Sequence, residues 1–167
     1  MSHDLITVPR VNLNRYLGTW YEIARKPMRH EDAAASDITA SYSLFEDGSV
    51  RVLNTCLNEK GEVEASEGQA EPIDDTNAKL EVTFLPKGLR WIPFTRGDYW
   101  VMRLDEGYTT ALVGDPGRKY LWLLHRNPRL DDSIRAQWIA FAQAQGYDVS
   151  DMIHPRQSGA VHTVAET

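Results

Sequence analysis

From residue 38 onward the chain alternates apolar and polar residues in short runs, and a turn signal ends each run. Ile38, Ala40, Tyr42 and Leu44 share one parity, with Thr39, Ser41 and Ser43 on the other, before Glu46-Asp47-Gly48-Ser49. Residues 50–57 form the next run and Asn58-Glu59-Lys60-Gly61 the next turn. Residues 63–72 alternate more polar positions, Asp74-Asp75-Thr76-Asn77 follows, and Leu80, Val82 and Phe84 then face one way. A period of two between Asp/Asn/Gly turns is the pattern of an antiparallel meander. With residues 19–25, 99–104, 108–113 and 120–126, it predicts eight strands and no helix between them. Eight antiparallel strands leave no sticky edge if they close on themselves, so the expected fold is all-β, an up-and-down barrel.

One helix is expected after the strands. Pro128 precedes it, Asp131 or Asp132 can cap it, and Gly146 stops it. Ile134, Trp138, Phe141, Ala142 and Gln145 recur at helical spacing, which predicts one face packed on the outside of the barrel. The 167 residues fit a single domain, with its core over about residues 8–155 and residues 158–167 as a frayed tail. Net charge is −6 with no Lys/Arg cluster, which argues against nucleic acid as a partner. Cys56 is the only cysteine, so no intrachain disulfide forms. No apolar run approaches the length of a membrane span. The chain as written carries neither signal peptide nor lipobox, so a cytoplasmic protein is expected, or a periplasmic or outer-membrane one if the N-terminus is processed or truncated.

An eight-stranded barrel is either filled by side chains or holds one small ligand. Strand parity proposes an inner set of Tyr42 with Leu44, Val52 with Asn54, Val82 with Phe84, and Trp100 with Met102. Apolar walls with few polar groups suit a small-molecule pocket, and alternation alone fits a packed core equally well.

The stretch Gly18-Thr19-Trp20-Tyr21-Glu22-Ile23-Ala24-Arg25 resembles the first signature of the lipocalins. Tyr120-Leu121-Trp122-Leu123-Leu124-His125-Arg126-Asn127-Pro128 resembles their last-strand signature. Further segments, among them Lys79-Leu80-Glu81-Val82-Thr83-Phe84 and Gly146-Tyr147-Asp148-Val149, are similar to the bacterial outer-membrane lipocalin and apolipoprotein D branch. Asp105-Glu106-Gly107-Tyr108 departs from the family's middle Thr-Asp-Tyr signature. The resemblance implies that Gly18, Trp20 and Arg126 are structural, with the arginine stacked across the tryptophan at the closed end. It also implies a non-enzymatic carrier of a fatty acid or lysophospholipid, with Tyr42, Val52, Asn54, Val82, Phe84, Trp100 and Met102 as ligand-binding candidates. It implies neither a cofactor nor a metal.

The rival readings are an enzyme built on the same barrel and a haem or pigment carrier. Candidate acid–base or nucleophilic groups are Glu22, His30, His125 and Cys56, but no phosphate loop, CxxC or HExxH accompanies them. His30-Glu31-Asp32 is read as a solvated loop rather than a metal cluster. Residues 26–36 and 85–98 are long connections expected at the open end. In the second, Trp91, Ile92 and Phe94 lie among Lys87, Arg90 and Arg96, a combination that suits an anionic membrane surface or a second subunit of a homodimer; folding back over the barrel wall is the alternative.

Overall fold

The structure, a computed structural model, describes residues 5–27, 34–84 and 95–163. Its turns are built by the Asx residues that mark them in the sequence. Asp47 Oδ1 accepts from the Ser49 N–H, Asn58 Oδ1 from those of Lys60 and Glu62, and Asp74 Oδ1 from that of Thr76. Asp105 and Asp115 do the same for Thr109 and Thr110 and for Lys119 and Tyr120. A short acceptor side chain that satisfies the backbone of the next few residues makes a tight turn cheap in free energy.

A short helix, α1 (Leu13–Tyr16), leads into β1 (Gly18–Arg25). There follow β2 (Ser36–Leu44), β3 (Val50–Leu57), β4 (Val63–Pro72), β5 (Lys79–Phe84), β6 (Thr95–Leu104), β7 (Thr110–Gly114) and β8 (Leu121–His125). Each pairs antiparallel with the next, and β8 returns to β1, which closes the barrel. β6 starts at Thr95, inside the segment expected to be irregular. β7 starts at Thr110 because Tyr108, with φ +57°, belongs to the turn.

Helix α2 (Asp132–Ala144) lies on the outside, capped by Asp131, whose side chain accepts from the Ser133 N–H. Gly146 follows it with φ +102°, a conformation that suits glycine. Trp138 and Ala142 are buried against Ile23, Met102, Leu112, Leu121 and Leu123. Ile134, expected in the buried stripe, is 41% exposed. The face is therefore narrower than its spacing predicted and is centred on Trp138.

Among the described residues three register shifts break strand parity, one of them in β2 between Ser36 and Thr39. A second lies in β1 between Glu22 and Ala24, so Trp20 and Glu22 face inward while Ala24 joins the outer cluster. The third lies in β6 between Val101 and Arg103. An inserted residue shifts the inside–outside alternation beyond it.

The closed end is sealed by α1 and Arg126. The guanidinium carbon lies 3.8 Å from the centroid of the Trp20 ring. Its nitrogens donate to the carbonyls of Arg15, Tyr16, Thr19 and Tyr108. The Trp20 indole N–H donates to the Tyr16 carbonyl at 2.9 Å, and the side chain is fully buried. Gly18 has φ +105°, and a Cβ there would meet an Arg126 nitrogen at 3.1 Å. Backbone conformation and space both call for glycine.

Near the opposite end, β1 and β2 separate: their paired register ends at Tyr21↔Thr39. The C-terminal segment fills the gap. Arg25 and Ile153 exchange backbone hydrogen bonds, and the Asp37 N–H donates to the Arg156 carbonyl. The Gln157 amide donates to the carbonyls of both Glu22 and Ile38. Asp37 accepts from the Ser158 N–H at 2.6 Å and its hydroxyl at 2.8 Å, with His162 Nε2 2.9 Å away. Residues 158–162, expected to be frayed, are tied to Asp37 because its buried carboxylate needs donors. Burial works to raise the Asp37 pKa, but the hydrogen bonds from Ser158 and His162 outweigh it and hold it below the usual value.

Arg126→Ala is expected to lower stability by about 2–4 kcal/mol in urea unfolding, through loss of the stack and of charge-assisted hydrogen bonds. Arg126→Lys should fall between, since an ammonium keeps the charge but not the planar fork; lysine as stable as arginine would contradict the stack. Asp37→Asn should cost about 1–3 kcal/mol at pH 7. A depressed carboxyl pKa contributes stability above the unfolded value of about 3.9, lost as pH falls through the folded one. The melting difference between wild type and Asp37→Asn should therefore shrink toward zero below about pH 4. A constant gap from pH 7 to pH 3 would mean that the carboxylate contributes nothing.

Candidate functional site

Cross-strand partners share a face, so the inner wall can be followed from one pair to the next. Tyr42 pairs with Val52, Val52 with Gly68, and Gly68 with Phe84. One level nearer the floor, Val50 pairs with Ala70, Ala70 with Val82, and Val82 with Gly97. Leu80 pairs with Tyr99, Val101 with Val113, and Val113 with Trp122. Tyr42, Val52 and Val82 are buried in this inner cluster, with Phe84 packed against it. Asn54 is half-buried and lies opposite Ala40 and Ser66, on the inner face toward the mouth.

Trp100 and Met102 are placed differently. Parity put them inside; the structure puts them in the outer cluster beneath α2, with Lys79 Nζ 4.5 Å above the Trp100 ring. Their inner neighbours are Tyr99 and Val101. The cause is the helix. β7 is buried at every position, because one face meets the interior and the other meets α2. Strands covered on both sides are apolar on both faces, and alternation cannot tell the two apart. Leu44, grouped with Tyr42, lies at the strand end by the turn and is 45% exposed.

Exposure rises along the inner wall toward the mouth. On β4, Ala70 and Gly68 are buried, whereas Ser66 and Glu64 are exposed. Gly68 makes room for the Phe84 ring: a Cβ there would lie 2.9 Å from it. Gly97 is the reverse case. It sits opposite Val82, is exposed, and a Cβ built on it would meet nothing within 4 Å. The interior is open at this level. Near the mouth, Trp122 stacks with Tyr120 at 6.0 Å.

The polar groups of the interior form two sets. Glu22 and Arg25 are an ion pair, Nε to Oε2 at 3.3 Å, with Arg25 fully buried. At the floor, Tyr16, Tyr42 and Tyr99 join their hydroxyls. Tyr16 and Tyr99 lie 2.6 Å apart, and the Tyr99 hydroxyl donates to that of Tyr42 at 2.8 Å. Burial raises all three pKa values, so the phenols stay protonated. The three tyrosines themselves line a cavity of ≈ 20 Å³, together with Val11, Val50, Val52 and Ala70, room for about one water.

Among the described residues, Glu22, His125 and Cys56 are not brought together. His125 lies on the outer face, its Nδ1 2.8 Å from the Thr110 hydroxyl, whereas Glu22 is on the inner face. Cys56 is on the inner face of β3, opposite Glu64 near the mouth. His30, Glu31 and Asp32, and Lys87, Arg90, Trp91, Ile92 and Phe94, lie outside the described residues, as does the side chain of Arg96. Among the described residues no three His, Cys, Asp or Glu side chains are grouped to hold a metal. Sequence reading missed Tyr16 and Tyr99, which come from distant segments. It also missed Gly97, whose signal is a glycine inside a strand.

The family model for a lipocalin-like domain matches residues 11–157. Temperature-induced lipocalin-1 of Arabidopsis thaliana is 39% identical over 158 residues, covering 93% of this chain and 84% of that protein. The outer membrane lipoprotein Blc of Escherichia coli K12 is 41% identical over 155 residues, covering 92% and 83%. Among solved structures, insecticyanin from the tobacco hornworm Manduca sexta superposes with a TM-score of 0.73 at 21% identity, over 95% of this chain and 87% of that one.

Proposed function

This chain belongs to the lipocalin family, and from that premise we propose that it carries a fatty acid or lysophospholipid in the hollow between its tyrosine floor and its mouth. Membership implies binding of small hydrophobic ligands, and lipocalin homologues are generally carriers rather than enzymes. In this reading the acyl chain lies against Val52, Val82 and Phe84, ends above Tyr42, and leaves its headgroup near Asn54 and the mouth. Trp100 and Met102 take no part.

The observation that carries the reading is the open space over Gly97, level with the apolar side chains of Val82, Ala70 and Val50. Burying each CH₂ there contributes about 0.8 kcal/mol. A long chain therefore supplies roughly 10 kcal/mol before ordering costs are subtracted. The exposure of Ser66 and Glu64 supports a polar rim where a headgroup would sit.

The test is titration of the protein with a fluorescent fatty acid, and its displacement by unlabelled lipid. Gly97 has no positive φ, so a larger residue is sterically allowed on its backbone. Gly97→Phe, projecting into the hollow, should weaken binding at least tenfold in a protein that remains folded by circular dichroism. Wild-type protein that binds no probe at micromolar concentration, or Gly97→Phe protein that binds like wild type, would remove the proposal.

A further inference from the structure

The tyrosine floor has one hydrogen more than it can use. Three phenols bring three O–H groups, and the chain from Tyr16 through Tyr99 to Tyr42 contains two hydrogen bonds. Since Tyr99 donates to Tyr42, Tyr16 must donate to Tyr99, and the hydrogen of Tyr42 is left over. It meets no acceptor among the described residues. Burying a donor without an acceptor is costly, and a phenylalanine at this position would fill similar space without that cost.

The spare donor faces the hollow. Tyr42 is on the inner face of β2, two residues from Ala40, which is small. Tyr99 is on the inner face of β6, two residues below Gly97, where the space is open. Tyr99 is only half-buried, and Tyr42 and Tyr99 both line the small interior cavity. Whatever reaches the bottom of the hollow touches these rings first.

We propose that the floor of the hollow is a hydrogen-bond donor site that selects ligands carrying a neutral oxygen, as a hydroxyl, ketone or ester carbonyl, at the end that enters first. The inference rests on the carrier reading and adds to it: a plain methyl-ended chain leaves the Tyr42 hydrogen without a partner other than a trapped water, and an oxygenated end satisfies it directly. A neutral acceptor fits better than a carboxylate. Tyr42 is buried among apolar residues, so a carboxylate would shed its hydration there against a single neutral donor. Arg126 is already held by four carbonyls and the Trp20 ring.

The experiment compares 1-palmitoyl-lysophosphatidylcholine with its 16-hydroxypalmitoyl analogue, both below their critical micelle concentrations, by displacement of a fluorescent fatty acid. The bulky headgroup keeps the acyl end pointing down. Wild-type protein should bind the hydroxylated lipid about five- to tenfold more tightly, the worth of one neutral hydrogen bond. In the double variant Tyr42→Phe, Tyr99→Phe that ratio should fall to about one. Tyr42→Phe alone should keep part of it, because the spare hydrogen passes back to Tyr99. Equal affinities for the two lipids in wild type would overturn the donor site while leaving the carrier reading intact. Binding of neither would overturn both. The wild-type ratio is decisive even if the double variant fails to fold.

Discussion

The stack of Arg126 on Trp20 is the contact on which the rest of the barrel depends. It joins the last strand to the first at the end where a closed sheet would otherwise leave a hole. Four backbone carbonyls hold the guanidinium in place, two of them from α1, so the helix that plugs the floor is pinned by the same side chain. A floor sealed this way contributes stability outside the ligand's space. The walls above it can therefore stay thin at Ala40 and Gly97 without the barrel collapsing.

The other end is finished by a different device. β1 and β2 part above Tyr21 and Thr39, and the C-terminal segment is wedged between them through Ile153, Arg156 and Gln157. Asp37 holds that wedge, although its φ of +51° is unusual for a residue with a side chain. Strain at one backbone position is offset by three donors to one buried carboxylate. A cation–π clamp thus closes the bottom, and a hydrogen-bonded strap closes the seam near the mouth. Between them lies the barrel interior, whose polar groups among the described residues are few and specific.

Much of this architecture was legible in the chain. Period-two runs between Asx turns mark the strands, and Gly18, Trp20 and Arg126 mark the floor. What was illegible has physical causes. Trp100 and Met102 read as inner residues because β6 to β8 are apolar on both faces under α2. Glu22 and Arg25 come together inside only because a bulge turns Arg25 inward. The tyrosine chain has no spacing to find: its members come from α1, β2 and β6 and meet only when the barrel closes. The docked C-terminal segment looks like a polar tail until its acceptor, Asp37, is in place.

We propose a vessel with a sealed floor, a hydrogen-bond donor at the bottom and a mainly apolar wall. The most direct test is the crystal structure of the protein with 16-bromohexadecanoic acid, with the bromine located by its anomalous signal. A bromine inside the barrel, above the Tyr42 and Tyr99 rings and level with Gly97, is the predicted result. A bromine on the outer face, beneath α2 beside Trp100 and Met102, would contradict the account.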